Sequence, residues 1–310
     1  MNNQNFSVVI PLYNKANHIL DAIASIKAQS VPADEIIIID DGSSDNGVAI
    51  VEQANIADVR IIRQANQGVS VARNNGIKAA RNQYVAFLDA DDTWLPFFLE
   101  EMQLLIAKFP QCKFFASRYQ CIDGDKYVDA KINLEGLDPQ GVLLSNYFEV
   151  AASGDLPFMI SSAVIEKSLV DSIGGFPPGE RIGEDQDFFA RAAMYGPIAY
   201  SPNIHLMYRR DAENSATSTW VPEQECPFSE RLKHQVARLN QKVVAQQVNK
   251  YSAAHLCHLA KLNIYKGRFR SARKLLADTR CNLKAKHKWG LLTLSYLKQA
   301  QYSLSKSNAL

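Results

Sequence analysis

The stretch EIIIIDDGSSD, Glu35–Asp45, decides the architecture of this 310-residue chain. Its continuous apolar run, Glu35–Asp40, has the pattern of a strand buried on both faces. The run stops at Asp41-Gly42-Ser43-Ser44-Asp45, where Gly42 allows a tight turn and Ser43, Ser44 or Asp45 can cap a following helix. Upstream, Phe6–Leu12 (FSVVIPL) is a short β-branched run that ends in proline and a turn. Between the two runs, Ile19, Ile23 and Ile26 recur at spacings of four and three, which predicts a helix over Asn17–Gln29. Downstream, Val59–Arg63 reads as a strand, Val69–Ala80 as a helix, Tyr84–Asp89 as a strand and Pro96–Phe109 as a helix. The order βαβαβαβ predicts an α/β fold with a mostly parallel sheet and helices on both faces. Ligands of such sheets sit outside the carboxyl ends of the strands. The polar residues there are Tyr13 and Asn14, Asp40 and Asp41, and Asp89 to Asp92.

No GxGxxG follows the first strand, and GxxxxGK[ST] is absent throughout, which weakens dinucleotide-dehydrogenase and P-loop readings. Carboxylates follow the strands instead. Carboxylates crowded in one cleft repel each other unless a cation or hydrogen-bond donors sit between them. Hard oxygen ligands select Mg²⁺ or Mn²⁺, ions that usually bring phosphates with them.

Six segments, in order over roughly residues 6–215, resemble the inverting family-2 glycosyltransferases with the GT-A fold. SVVIPLYNK, Ser7–Lys15, is similar to the family's opening strand and nucleotide loop, and IIIIDDGSSDN, Ile36–Asn46, to its second-strand signature. NQGVSVARNNGI, Asn66–Ile77, resembles its glycine-arginine-asparagine segment, and YVAFLDADD, Tyr84–Asp92, its DxD motif. GGF, Gly174–Phe176, with GEDQDFFAR, Gly183–Arg191, resembles the acceptor-side loop and the catalytic Glu-Asp pair. YRRDAENSAT, Tyr208–Thr217, resembles the closing loop.

The resemblance implies a GT-A catalytic domain over residues 1–220, and charge and helical pattern leave a basic α-helical extension over 221–310. It implies a nucleotide-sugar site at Pro11, Tyr13, Asp40, Asp41, Arg73, Asp89 and Ala90. Asp40 and Asp41 would receive the base, Tyr13 would lie against it, Arg73 would help hold the nucleotide, and Asp89 would contact the ribose. Asp91 would bind the Mn²⁺ or Mg²⁺ that bridges the donor's diphosphate and neutralises the leaving group. Asp185 would be the general base, with Glu184 orienting the loop or acceptor. Each residue also has an ordinary structural reading: packing for Tyr13, a surface salt bridge for Arg73, a helix cap for Asp92, a helix N-terminal carboxylate for Asp185. The implied reaction is a single inverting displacement, with no glycosyl-enzyme nucleophile of the kind retaining glycosidases use.

Two departures stand out. Many relatives carry His two residues after the Arg of the closing loop, where this chain has Asp211, with His205 as the nearby substitute. Processive relatives carry QxxRW and membrane helices. Here the nearest string, Gln235-Val-Ala-Arg238-Leu239, lacks the Trp, so transfer of one sugar at a time is expected.

Charge is split along the chain. Residues 1–230 carry 17 Lys/Arg and 31 Asp/Glu, a net of −14, whereas residues 231–310 carry 17 Lys/Arg and one acid, Asp278, a net of +16. Such an imbalance implies a polyanionic partner, either an anionic membrane surface, nucleic acid or an acidic acceptor, or neutralisation of the acidic part, with nucleic acid the least favoured. The segment Leu256–Leu276 reads as helix, Gly267 turn, helix. Trp289–Leu304 reads as a helix with Trp289, Leu292, Tyr296 and Leu297 near one face, preceded by Lys284, Lys286 and Lys288. His255, His258 and His287 do not form a convincing metal set. Five cysteines without a CxxC pair point to a reducing compartment, and no apolar run reaches the ~18–20 residues of a membrane span. The expectation is a cytoplasmic enzyme, free or peripheral on the membrane's cytoplasmic face, with a UDP-sugar donor and a surface-glycan or lipid-linked acceptor. Two alternatives stay open: a metal-dependent nucleotidyltransferase, and a non-catalytic sugar-nucleotide-binding module.

Overall fold

The computed structural model describes residues 4–134, 136–213, 220–237 and 242–307. It divides into two compact units, one of residues 1–147 and 156–215, the other of 148–155 and 216–310. The short segment 148–155, read from sequence as part of the catalytic domain, groups with the helical unit. Its half-buried and buried side chains find their apolar partners there, as Phe148 does against Tyr251 at 5.8 Å between ring centroids.

The first unit begins with β1 (Phe6–Leu12), α1 (Ile19–Lys27), β2 (Glu35–Asp40), α2 (Gly47–Ala54), β3 (Val59–Arg63), α3 (Val69–Ala79) and β4 (Tyr84–Phe87). Next come β5 (Thr93–Trp94), α4 (Phe98–Lys108), β6 (Phe114–Asp123), β7 (Lys126–Asp129) and β8 (Val142–Leu144), followed by α5 (Tyr147–Ala151), whose residues from Phe148 on belong to the second unit. It closes with β9 (Ala163–Glu166), α6 (Lys167–Ile173), α7 (Glu184–Tyr195) and β10 (Ile198–Arg209). The strands form one sheet in the order β3-β2-β1-β4-β9-β6-β10-β5, with β7 beside β6 and β8 beside β10. The first four strands are parallel, as the alternating βα pattern requires. Beyond them β9 runs antiparallel to both β4 and β6, while β6 and β10 are parallel.

Both faces of the first strands are covered. Val8, Ile10, Ile36 and Ile38 pack in one cluster with Ile19, Ile23 and Ile26 of α1 and Phe98, Met102 and Leu105 of α4. The opposite face receives α3, which comes so close to β1 that a Cβ on Gly76 would lie 2.2 Å from Val9 Cγ1. Phe87 on that face meets Phe176 edge-on at 5.6 Å, and Phe176 stacks on Phe188 of α7 at 4.4 Å.

The crevice follows from this order. The chain runs β1, β2, β3 in one direction across the sheet and then returns to place β4 on the other side of β1. That reversal is the switch point at which open α/β sheets bind ligands. The β1–β4 ladder ends at Val9↔Phe87, with one more bond from Leu88 N–H to the Val9 carbonyl. Pro11, two residues on, has no N–H to donate, and it falls where β4 has already parted from β1.

The second unit holds α8 (Pro227–Val236), α9 (Lys242–Tyr265), α10 (Phe269–Leu276) and α11 (Ala285–Ser307). Its core includes Phe228, Leu232, Tyr251, Leu256, Leu259, Leu276 and Leu291. Gly267, at φ +73°, makes the turn between α9 and α10 that the sequence indicates. His255 is half-buried with its ring edge-on to Phe228, and desolvation pushes its pKa down to about 3, so it packs as a neutral residue. All five cysteines are buried free thiols. Among the described residues no helix is long and apolar enough to cross a membrane.

Candidate active site

The loops after β1 and β2 hold each other. Asn14, at φ +51°, accepts Ser44 N–H at 2.7 Å, and its own N–H donates to Ser43 Oγ at 3.2 Å. Asp45 accepts the N–H groups of Ala16 and Gly47, so it tethers the first loop and caps the start of α2. Tyr13 stands out of this loop with 46% of its surface exposed, a free ring face for a planar ligand.

The two acids after β2 differ. Asp40 accepts Ser43 N–H at 2.9 Å on Oδ1, and its second oxygen has no hydrogen bond among the described residues. Asp41 is fully engaged: it accepts from Gln64 Nε2 at 2.7 Å, Gln67 N at 2.9 Å and Gly68 N at 2.8 Å. It shapes the loop that starts α3.

Each residue of the Ala-Arg-Asn-Asn-Gly run on α3 has a different partner. Ala72 is buried. Arg73 Nη2 donates to both oxygens of Asp89 at 2.8 and 3.0 Å, and Nη1 donates to Glu184 at 2.9 Å. Asn74 makes a two-point clamp on the Phe176 backbone, both bonds at 2.8 Å. Asn75 donates to Gln64 at 2.6 Å. Gly76 permits the close approach to β1. The Gly-Gly-Phe loop is held from its other side by Arg191, which donates to the carbonyls of Ile173, Gly174 and Gly175. A Cβ on Gly175 would meet Asn74 Oδ1 at 2.3 Å. These contacts fix the start of α7, where Glu184 and Asp185 stand.

Arg73 is therefore a buried bridge and not a surface salt bridge. It is 3% exposed and joins the carboxylate after β4 to the one opening α7. Burial opposes its charge, but Asp89 and Glu184 outweigh that and hold it firmly protonated. Asp185 moves the other way: burial and the Glu184 charge push its carboxyl up to about 7, against the pull of Arg73. A carboxylate near neutrality can take a proton at working pH.

The rest of the acidic turn divides its roles. Ala90 packs its side chain into the core. Asp92 does not cap the next helix. It is buried and accepts from Ser161 Oγ at 2.6 Å and Arg209 N–H at 2.9 Å, stitching the turn to β10. Burial, then Asp91 and Asp89, raise its pKa well above the usual carboxylate range. Asp91 points into the crevice beside Lys15, whose Nζ is 2.7 Å from its Oδ2. Tyr208 lies against the same acids, and burial with Asp92, Asp89, Asp185 and Asp91 raises its hydroxyl pKa. Lys15, Ser161 and Tyr208 belong to this cluster, yet sequence spacing gave them no role; the Lys15–Asp91 and Ser161–Asp92 bonds cross 76 and 69 residues of chain. Lys15 was marked only by closing the first quoted motif and Tyr208 only by opening the last.

Neither candidate for the missing closing-loop His reaches this cluster. Asp211 accepts Gly124 N–H at 3.0 Å and lies 3.7 Å from Arg209. His205 is buried 3.8 Å from Glu101, and burial lowers its pKa. Residues 214–217 of the closing segment, and Arg238 and Leu239 of the QxxR string, lie outside the described residues.

Among the described residues no three His, Cys, Asp or Glu side chains gather as a metal cage. The donor set is one crevice-facing carboxylate, Asp91, itself bonded on Oδ2 to Lys15, since Asp89 is taken by Arg73 and Asp92 by Ser161 and Arg209 N–H. Mg²⁺ is commonly held by one or two carboxylates together with substrate phosphates, so this half-site fits a metal that arrives with a diphosphate.

Comparison with known proteins agrees with this geometry. The family model described as glycosyl transferase family 2 matches residues 7–149. The glycosyltransferase YibD of Escherichia coli is 46% identical over 108 residues, 34% of this chain and 31% of that protein. A glycosyltransferase of Haemophilus influenzae is 29% identical over 189 residues, 60% of each chain. The putative teichuronic acid biosynthesis glycosyltransferase TuaG of Bacillus subtilis is 38% identical over 136 residues, 41% of this chain and 54% of that protein. This chain thus spans from about a third to 60% of the length of these relatives. The crystal structure of S. aureus TarS 1–349 in complex with UDP-GlcNAc superposes with a TM-score of 0.70 at 16% identity, covering 97% of this chain and 92% of that one. Residues 7–149 thus match the glycosyl transferase family 2 model, and the chain shares the GT-A fold of the TarS structure.

Proposed function

We propose that this protein is an inverting, non-processive glycosyltransferase that moves one sugar from a UDP-sugar to an acceptor hydroxyl. The observation that carries this is Asp185, a partly buried carboxyl with a pKa of about 7 at the mouth of the β1–β4 crevice, beside the Arg73 bridge. In this reading Asp40 takes the imide N–H of the base on its open oxygen, and Tyr13 covers the ring. Arg73 sets the Asp89 carboxylate for the ribose and Glu184 for the acceptor loop. Asp185 accepts the hydroxyl proton as the acceptor oxygen attacks the anomeric carbon and the nucleoside diphosphate leaves from the opposite face. Mn²⁺ or Mg²⁺ at Asp91, when bound, would neutralise charge on the leaving diphosphate. Asp41 acts on this site through the loop before α3. UDP as the nucleotide is supported by the UDP-GlcNAc complex of a protein with the same fold. A surface-glycan acceptor is supported by the teichuronic acid assignment of one relative.

The acceptor and location complete the reading. We place the enzyme on the cytoplasmic face of a membrane, held by the headgroups of anionic lipid. The support is α11, where Trp289, Tyr296 and Leu297 are 66%, 61% and 59% exposed while Leu291 and Ser295 are buried. Lys286 and Lys298 lie on the same helix, and Arg273 stacks 4.7 Å over Tyr296. An aromatic stripe flanked by cations matches an anionic interface.

A thermal-shift screen of nucleotide sugars with Mn²⁺ tests the donor reading, because a ligand of the folded state raises the melting temperature. UDP-sugars should give the largest shifts, and turnover should release UDP. Release of pyrophosphate would identify a nucleotidyltransferase instead, and no shift with any nucleotide sugar would overturn the donor reading.

A further inference from the structure

The crevice between β1 and β4 holds more acid than base. Asp89, Asp91, Asp92, Glu184 and Asp185 converge there, and Tyr208 faces four of them. Against them stand Arg73 and Lys15. A nucleoside diphosphate would bring further negative charge into this field, which must be met by a cation or by hydrogen-bond donors. The two Nη atoms of Arg73 already serve Asp89 and Glu184, and its Nε, without a partner among the described residues, is buried away from the open crevice.

Lys15 is differently placed. It follows Tyr13 and Asn14 in the loop after β1, so its backbone is set by the Asn14–Ser44 bonds. Its Nζ donates to Asp91 Oδ2 at 2.7 Å and to the Glu213 carbonyl at 2.6 Å. Its side chain is 12% exposed and that of Asp91 17%. An ammonium has three donors, and two are used among the described residues, so one remains for a ligand. A divalent ion at the same Asp91 oxygen would be opposed by the charge of the ammonium beside it.

We propose that Lys15 is the resident cation of the donor crevice. It neutralises Asp91 in the free protein and donates to a diphosphate oxygen of the incoming nucleotide, and a divalent ion must compete with it for Asp91. The proposal rests on the donor reading above. It has a consequence that a pin between two loops would not have: nucleotide should bind measurably without metal, through Lys15.

The test uses the full-length protein and two variants, Lys15→Met and Lys15→Arg. UDP affinity is measured by calorimetry in chelator and in Mn²⁺, and Mn²⁺ affinity without nucleotide by electron paramagnetic resonance. Wild type should bind UDP in chelator. Lys15→Met should weaken that binding roughly tenfold or more, the scale of a charge-assisted hydrogen bond. The same variant should bind Mn²⁺ several-fold tighter, because Asp91 is no longer engaged (of order the effect of one nearby charge). Lys15→Arg should retain metal-free UDP binding. Should Lys15→Met fail to fold, Lys15→Gln, which keeps a donor but no charge, takes its place. Unchanged metal-free UDP affinity, or unchanged or weaker Mn²⁺ binding, in a folded uncharged variant would overturn the proposal alone. Failure of the wild type to bind UDP in chelator but not in Mn²⁺ would also overturn it alone. Failure in both conditions would remove the donor reading and the proposal together.

Discussion

Asp185 sits under opposed influences. Burial and Glu184 raise its pKa to about 7, while Arg73 lowers it; Asp89 adds to the rise. Tyr208, itself held neutral by the same acids, adds no charge. As a base it works only when deprotonated, so turnover should climb as pH passes upward through about 7 and then level. Asp185→Asn should flatten that profile and lower transfer by about 10²-fold or more, since the amide is nearly isosteric but takes no proton. UDP release from a bound UDP-sugar, followed on both sides of neutrality, reads both effects. A near-normal rate in the variant would assign the base elsewhere. The raised pKa also has a stability sign. The folded state holds this proton more tightly than the unfolded chain, so stability falls as pH rises from the ordinary Asp range toward 7. Asp185→Asn should therefore melt higher than wild type above neutrality and not at acid pH. Asp91→Ala tests the metal. It should abolish the Mn²⁺-dependent part of UDP binding with little change in melting temperature, because it removes a crevice carboxylate and no core volume. Metal-dependent affinity equal to wild type would remove Asp91 from the metal shell.

At the scale of elements, α3 carries the most information per residue. One helical face presents Arg73 to the acids and Asn74 to the Phe176 backbone, while Gly76 lets the helix lie on β1. Gly76→Ala should cost about 1–3 kcal/mol, because its Cβ would press into a fully buried Val9 that has no room to move. Denaturant unfolding of Gly76→Ala, Val9→Ala and the double variant checks this. The double variant should be more stable than the sum of the single losses, since the second change makes room for the first. Strict additivity would mean that α3 tilts away from β1 instead.

For the whole molecule, the distribution of charge matters most. Residues 231–310 are +16 and the remainder −14. If α11 meets anionic lipid, the full-length protein should co-sediment with anionic vesicles and not with neutral ones. Salt should weaken this, because screening shortens the reach of charges to ~8 Å at physiological ionic strength. Trp289→Ser with Tyr296→Ser should reduce binding about tenfold or more while the charge is unchanged, on the scale of two exposed aromatic groups. Equal binding to both vesicle types, or to neither, would overturn the location. Competition by nucleic acid with the same salt slope would point to that polyanion instead.

Local pattern and chemistry were legible without coordinates wherever the signal is short-range. The four isoleucines of Ile36–Ile39, the spacing of Ile19, Ile23 and Ile26, and the glycine turns at Gly42 and Gly267 depend on neighbours in the chain. They give the strands, the helices and the parallel start of the sheet. The order of six motifs adds the family. What the sequence left open depends on contacts across long stretches of chain. Asp40 and Asp41 are adjacent and alike in type, yet one keeps an open oxygen and the other satisfies three donors from the loop before α3. Arg73 looked like a ligand, and Asp92 like a cap; folding places the first between two acids and buries the second under Ser161. The antiparallel return of β9 and the transfer of residues 148–155 to the helical unit are likewise long-range. Hydrogen bonds and charge pairs depend on distance in space, and a carboxylate's role follows from what folding brings within ~3 Å of it.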